Sequence, residues 1–213
     1  MINLLVVDDH ELVRTGIKRL LNDVRGIKVV AEAASGEEAL EKIKHRRPDV
    51  ILMDVSMPGI GGLEATRQLL ALDPTIRLIA LTIHSEEPYP TRLLEVGAAG
   101  YVTKDCDLEE MVTAIQTVNQ GERYIGSAIA RQVALGKLPG GAMSPFEKLS
   151  QREIQVMFLV TQGHTIQEIS DRLCLSPKTI STYRYRLYDK LAVENDVELT
   201  HLAMRHGVVE SVS

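Results

Sequence analysis

The sequence predicts an α/β domain with a doubly wound, five-stranded parallel sheet, followed by a separate all-α domain. Three observations carry this. Over residues 1–122, short apolar runs alternate with stretches of helical periodicity. The run Leu138-Pro139-Gly140-Gly141-Ala142-Met143-Ser144-Pro145 cannot continue a helix. Beyond it come four short helical stretches, with a local excess of basic residues on the third.

Leu4–Val7 is the first strand and ends in Asp8-Asp9. Leu12, Ile17, Leu20 and Leu21 then recur at roughly helical spacing through Asn22. Lys28–Ala33 is the second strand. Ser35 with Glu38 three residues later is a capping-box pattern. Ala39, Leu40 and Ile43 give that helix its apolar face, and Pro48 stops it. Asp49–Asp54 places four apolar residues in a row before a carboxylate and then Pro58-Gly59, the pattern of a buried parallel strand. A Gly59, Gly61, Gly62 loop leads to a helix over Leu63–Leu70. Arg77–Thr82 is the fourth strand. Pro88 and Pro90 open a helix through Val96, Gly97 to Gly100 is a turn, and Tyr101–Thr103 is a short fifth strand before Lys104. Leu108–Val118 is the last helix. Five such repeats imply right-handed crossovers with helices on both faces.

In an open parallel sheet the C-terminal strand ends lie along one edge, where ligands bind. Here those ends supply Asp8, Asp9, Asp54, Thr82 and Lys104. Three clustered carboxylates repel one another and need a cation, and an all-oxygen site suits Mg²⁺. A metal there leaves one carboxylate able to attack phosphorus. Lys104 can pair with an anion, and the Thr82 hydroxyl can donate to a phosphoryl oxygen. His10, beside the acid pair, is read as opening the first helix rather than as a ligand. His84 lies two residues past Thr82, close enough to tune phosphoryl lifetime.

Residues 123–148 read as a connector, with a tethering helix over Ser127–Leu135 and then a flexible linker. The second domain is expected over 149–213. Ser150 and Glu153 form a capping box, and Ile154, Val156, Met157 and Val160 carry a first helix to Gly163. Thr165 caps a second helix, Ile166–Leu173. Ser176-Pro177 starts a third, Lys178–Leu191, and Asp196–His206 makes a fourth. Two short helices joined by a tight turn, the second of them basic, read as a helix-turn-helix.

The chain has 213 residues and a net charge of −5, without the bulk positive charge of a general nucleic-acid binder. The charge is uneven. Residues 1–140 hold 16 basic and 20 acidic side chains, residues 141–213 hold 8 and 9. Within the latter, Lys178, Arg184, Arg186 and Lys190 stand against Asp189 alone over 178–190, which is compatible with DNA contact by one helix. Cys106 and Cys174 lie outside any metal-spaced motif and read as reduced thiols. The first strand is not a signal peptide and no apolar run is long enough to span a bilayer, so the chain is expected to be cytoplasmic.

The strand-end set Asp8, Asp9, Asp54, Thr82, Lys104 resembles the receiver domain of two-component response regulators, which has the flavodoxin-like fold. The resemblance covers residues 1–122. It implies that Asp54 is the phosphoacceptor, attacking a phosphohistidine on a sensor histidine kinase. It implies that Asp9, Asp54 and the Ser56 backbone carbonyl ligate Mg²⁺, with Asp8 acting largely through water. It makes Lys104 the phosphate counter-ion and Thr82 with Tyr101 the switch pair, Tyr101 turning inward as Thr82 is drawn to the phosphoryl group. The chain departs from many receivers at Asp105, where they have proline.

Leu149-Ser150, Arg152-Glu153, Gly163, Ile169, Leu173, Ser176, Thr179-Ile180 and Lys190-Leu191 resemble the LuxR-type DNA-binding domain, so the whole chain looks like a NarL/FixJ-class response regulator. Residues 176–186 and Asp196-Val197-Glu198-Leu199 are most like the GacA/UvrY regulators. That likeness implies a hybrid sensor kinase of the GacS/BarA type as phosphodonor and promoters of small regulatory RNAs as targets. On the third helix Ile180, Tyr183 and Leu187 should face the core. Lys178, Ser181, Thr182, Tyr185 and Arg186 should meet the major groove and flanking phosphates, with Arg184, Arg186 and Lys190 tracking the backbone. Many family members have lysine where Ser181 and Tyr185 stand. A dimer would pair through the fourth helix, around Leu199, Leu202 and Met204, and match paired half-sites.

The function expected is a phosphorylation-controlled, DNA-binding transcription factor, not an enzyme, that dimerises on promoter DNA when phosphorylated. Two rivals are a regulator that ignores phosphorylation and a phosphatase with an aspartyl nucleophile. Such a phosphatase needs a second acid two residues after the nucleophile, and that position is Ser56.

Overall fold

The computed structural model describes residues 1–82, 89–127, 129–130 and 145–206, with the side chains of 89–92, 147 and 151 left aside. His84 and most of the expected tether and linker lie outside the described residues. The chain divides into two compact units, the described residues up to 130 and those from 145 onward.

The first unit is a parallel sheet of β1 (Ile2–Val7), β2 (Ile27–Ala33), β3 (Val50–Asp54), β4 (Leu78–Thr82), β5 (Gly100–Thr103) and β6 (Tyr124–Ile125), in the order β2-β1-β3-β4-β5-β6. The first five strands are those expected. The sixth corrects both the strand count and the boundary at 122. Tyr124 N donates to Ala99 O and Gly126 N to Tyr101 O, extending the sheet past β5. Two residues are too few to show an alternating pattern in sequence.

Five helices link the strands: α1 (Glu11–Asn22), α2 (Gly36–His45), α3 (Gly61–Leu72), α4 (Tyr89–Val96) and α5 (Leu108–Asn119). Alternation along each strand divides the core into two layers. Leu4, Val6, Val50, Leu52, Ile79 and Leu81 join Leu21 of α1 and Met111, Ile115 and Val118 of α5. Leu5, Val7, Ile51, Met53 and Ala80, equally buried, point to the opposite face, where α2 and α3 pack. The apolar face expected for α1 is narrower than its sequence indicates. Leu21 is buried, but Leu12 is 86% exposed and Leu20 53%. Ser35 caps α2 by accepting from Glu38 N, while Glu38 reaches back to Ala34 N rather than to Ser35 N.

The second unit opens with a 3-10 turn at Pro145–Lys148 and continues with α6 (Gln151–Thr161), α7 (Ile166–Leu173), α8 (Pro177–Leu191) and α9 (Asp196–Arg205). It therefore begins before residue 149. Phe146 is fully buried and meets the His206 ring edge-on, centroids 5.7 Å apart. Reciprocal capping boxes at Ser150/Glu153 and Thr165/Glu168 start α6 and α7 where sequence places them. Ile154, Met157, Ile169, Leu173, Ile180, Leu187, Leu199 and Ala203 form the core. Among the described residues no helix is long and apolar enough to cross a membrane.

Candidate functional site

Strand register assembles the first site. β1 pairs with β3 so that Val7 opposes Met53, and the next residues, Asp8 and Asp54, emerge side by side. β4 sets Thr82 opposite Thr103 of β5, and Lys104 N then donates to Thr82 O at 2.7 Å. Asp8, Asp54, Thr82 and Lys104 therefore share one sheet edge, with Asp9 following Asp8.

The Asp8 and Asp54 side chains are buried, and Lys104 Nζ stands 2.7 Å from Asp8 Oδ2 and 2.8 Å from Asp54 Oδ2. Asp54 Oδ1 accepts from Ser56 N at 3.0 Å, and Asp8 Oδ1 accepts from His10 N at 2.8 Å. Burial pushes the Asp54 carboxyl above its usual range, more than Lys104 and Ser56 N pull it down. Burial also disfavours the Lys104 ammonium, but Asp54 and Asp8 outweigh it and hold that group above the ordinary lysine range. Lys104 is thus an ion-pair partner shared by the two carboxylates. Asp8 Oδ2, Asp9 Oδ1 and Asp54 Oδ2 are buried and accept no hydrogen bond. One ammonium cannot neutralise three carboxylates, and orphaned carboxylate oxygens are the donor set of a small hard cation. Asp8, Asp9, His10 and Asp54 offer ligand atoms within 4.8 Å of one another.

Thr82 and Tyr101 are fully buried, so Tyr101, expected to turn inward as Thr82 moves, already lies inside. Two positions that sequence reasoning missed hold the loop after Asp54. Gly62 N donates to Val55 O at 3.1 Å, and a Cβ at Gly62 would lie 2.0 Å from Asp54 O. Glu37 Oε1, from α2, accepts from Ile60 N at 2.9 Å. The glycine-rich run was a signal for the first contact. Nothing local to Glu37 announces the second.

In the second unit α7 ends on Cys174 in the left-handed region, φ 52°. Leu175 N donates to Ser170 O, and Ser170 Oγ to Leu175 O, closing the turn. Ser176 caps α8 by accepting from Thr179 N, with Pro177 in the first turn. Ile180 and Leu187 of α8 face inward as expected, and Tyr183 is half-buried. Lys178, Thr182, Tyr185 and Arg186 are exposed and Ser181 is half-buried. This is a helix-turn-helix that presents a basic second helix.

The response regulator receiver domain pattern matches residues 4–116, and that of the bacterial regulatory proteins of the luxR family matches residues 147–203. The chain is 55% identical to the response regulator GacA of Pseudomonas aeruginosa over 214 residues, 100% of each chain. It is 53% identical to the response regulator UvrY of Escherichia coli K12, covering 98% of this chain and 96% of the other. A structure of RcsB from Salmonella enterica serovar Typhimurium, bound to promoter rprA in the presence of the phosphomimetic BeF3-, superposes with a TM-score of 0.67. That match is at 25% identity, over 95% of this chain and 98% of RcsB. The chain belongs to the LuxR-type response regulators.

In this response regulator two of the cations expected to track the DNA backbone have partners within the second unit. Arg184 is clasped inside the second unit: its Nε lies 3.3 Å from Asp196 Oδ1, its Nη2 also meets Asp196, and Nη2 donates to Tyr188 Oη at 3.0 Å. Tyr188 Oη donates in turn to Asp196. Lys190 Nζ pairs with the buried Glu153 carboxylate at 2.7 Å and also reaches Lys148 O. Both cations tie α8 to its own domain rather than standing free to follow phosphates. The Ser181 and Thr182 hydroxyls donate to Pro177 O and Lys178 O one turn back, leaving their lone pairs as acceptors. Leu199, expected at a dimer contact, is fully buried in the core, and Leu202 and Met204 are half-buried.

Proposed function

We propose that a sensor histidine kinase phosphorylates this response regulator on Asp54 and thereby controls its binding to promoter DNA as a homodimer. The observation that carries this is the Asp54 carboxylate at the end of β3. One oxygen is oriented by Ser56 N, the other faces Lys104, and Asp8 lies alongside.

The chemistry follows from that arrangement. An Asp54 oxygen attacks the phosphorus of a phosphohistidine, forming an O–P bond as the P–N bond breaks and the imidazole leaves. Asp9, Asp54 and the Ser56 carbonyl, with Asp8 beside them, would hold Mg²⁺, which would supply charge neutralisation for the phosphoryl oxygens. The clustered carboxylates of Asp8, Asp9 and Asp54, which share a single lysine, fit that role. Once Asp54 carries the phosphoryl group as an acyl phosphate, Lys104 exchanges its contact with that carboxylate for a phosphoryl oxygen. Thr82 donates a hydrogen bond to another. The phosphoryl group adds about −1.5 to −2 charges at one strand end, and Thr82 with Tyr101 relays the change to the β4–β5 face. That favours a form in which the DNA-binding domain is free to pair on two half-sites. Lys178, Ser181, Thr182, Tyr185 and Arg186 face the groove and its phosphates.

The full-length likeness to GacA and UvrY supports a kinase of the GacS/BarA type as phosphodonor. The RcsB structure on promoter DNA with a phosphomimetic supports the coupling of the two domains. The protein acts in the cytoplasm as a regulator rather than an enzyme.

The test is binding of the full chain to a labelled promoter fragment, with and without a small-molecule phosphodonor and Mg²⁺, wild type beside Asp54→Asn. Oligomeric state is followed in parallel. Tightened binding and dimer formation in wild type alone is the expected result. Equal affinity in every arm would sink the coupling of Asp54 to DNA binding.

A further inference from the structure

We propose that His10 is a nitrogen ligand of the receiver cation site and that it turns the site's preference from Mg²⁺ toward first-row transition ions. The inference rests on the reading of Asp9 and Asp54 as cation ligands and adds a donor to that set.

His10 stands at the N-cap position of α1, with an extended backbone (φ −85°, ψ 107°), but its side chain caps nothing. The polar N-cap residues Ser35, Asp107, Ser150, Thr165, Ser176 and Asn195 each accept a backbone N–H of their own helix. The His10 ring is turned instead to the acids, with Nδ1 3.1 Å from Asp9 Oδ1 and 3.5 Å from Asp8 Oδ1. The backbone that sets this orientation is itself fixed. Asp8 Oδ1 accepts from His10 N, and Arg14 Nη1 donates to Asp8 O at 2.6 Å.

Two neighbouring ligand atoms of an octahedral ion, each about 2.1 Å from it, lie about 3 Å apart. The Nδ1 to Oδ1 separation meets that requirement without rearrangement. The ring is 66% exposed, so an ion can enter from solvent past it. Carboxylate and carbonyl oxygens alone suit Mg²⁺, whereas an imidazole favours ions late in the first-row series. A receiver with this donor set should hold Ni²⁺ or Co²⁺ more tightly than one with oxygens alone.

The test is calorimetric titration of the full chain with Mg²⁺ and with Ni²⁺, for wild type, His10→Ala, His10→Asn and Asp54→Asn. Pulsed EPR of the Mn²⁺-loaded protein then reads nitrogen coupling directly. Loss of the His10 ring should weaken Ni²⁺ binding by about tenfold or more, leave Mg²⁺ affinity within about twofold, and abolish the nitrogen coupling. Asp54→Asn should weaken both ions, placing them at this site rather than on other histidines. An unchanged preference in the His10 variants, or no nitrogen coupling in wild type, overturns the assignment. Failure of wild type to bind Mg²⁺ at all removes the cation-site reading itself, and His10 with it.

Discussion

Lys104 Nζ lies 2.8 Å from Asp54 Oδ2, yet burial still pushes the Asp54 carboxyl above its ordinary range. The lysine is shared with Asp8, so neither carboxylate has a full counter-charge. The folded receiver therefore binds the Asp54 proton more tightly than the unfolded chain does. That stabilisation is complete below the unfolded pKa and is lost as pH rises through the folded value. At pH 7 the ionised Asp54 works against the metal-free fold. Asp54→Asn should raise the receiver's melting temperature at pH 7 by a few degrees, on the order of 1 kcal/mol, and the gain should shrink toward pH 3. Saturating Mg²⁺ should reverse the order, since ligand at about 100 times its Kd adds about 2.7 kcal/mol to wild type alone. Calorimetric melts with and without Mg²⁺ check both signs.

Gly62 packs against the backbone that carries Asp54. Its missing Cβ would lie 2.0 Å from Asp54 O and 2.7 Å from Val55 Cα, and neither backbone atom can rotate away. Gly62→Ala should cost about 3 kcal/mol in urea unfolding of the receiver. In the surviving folded fraction it should slow phosphorylation by displacing Asp54.

The basic residues of α8 should separate by salt dependence. Lys178 and Arg186 are exposed, so replacing either with alanine should reduce the slope of log affinity against log salt by about 0.9. Arg184 is held by Asp196 and Tyr188. Arg184→Ala should leave that slope unchanged and instead lower the thermal stability of the second unit. A loss of slope in Arg184→Ala would show that the clasp opens on DNA.

Glu153 joins the α6 capping box to Lys190 of α8. Burial raises its carboxyl, but Lys190 and the Ser150 N–H outweigh that and hold it below its ordinary value of 4.5. A depressed folded pKa contributes stability above the unfolded value that is lost as pH falls through the folded one. The second unit should therefore weaken below about pH 4.5, in the window opposite to that for Asp54. Glu153→Ala should cost about 1–2 kcal/mol at pH 7 and progressively less in acid, followed by circular dichroism.

The receiver was legible because its pattern is dictated by geometry. A parallel sheet brings its strand ends to one edge, so Asp8, Asp54, Thr82 and Lys104 could be joined across nearly 100 residues without any contact being seen. The helix starts at Ser150, Thr165 and Ser176 were equally plain, because capping is local. What was hidden depends on partners distant in sequence. Arg184 and Lys190 look like any other cations of a basic helix until Asp196 and Glu153 come into view. Leu199 and Leu12 show the same limit for apolar residues: one enters the core and the other faces solvent, and periodicity alone assigns neither. Strand β6 is too short for a pattern of any kind.

On α8, cations that secure the fold alternate with side chains left outside it. Arg184 and Lys190 are committed inward, while Lys178, Thr182, Tyr185 and Arg186 stand in solvent. Substitutions on the outer set can accumulate without unravelling the domain. The chemistry of that outer surface is thus free to drift while the packing beneath it is kept.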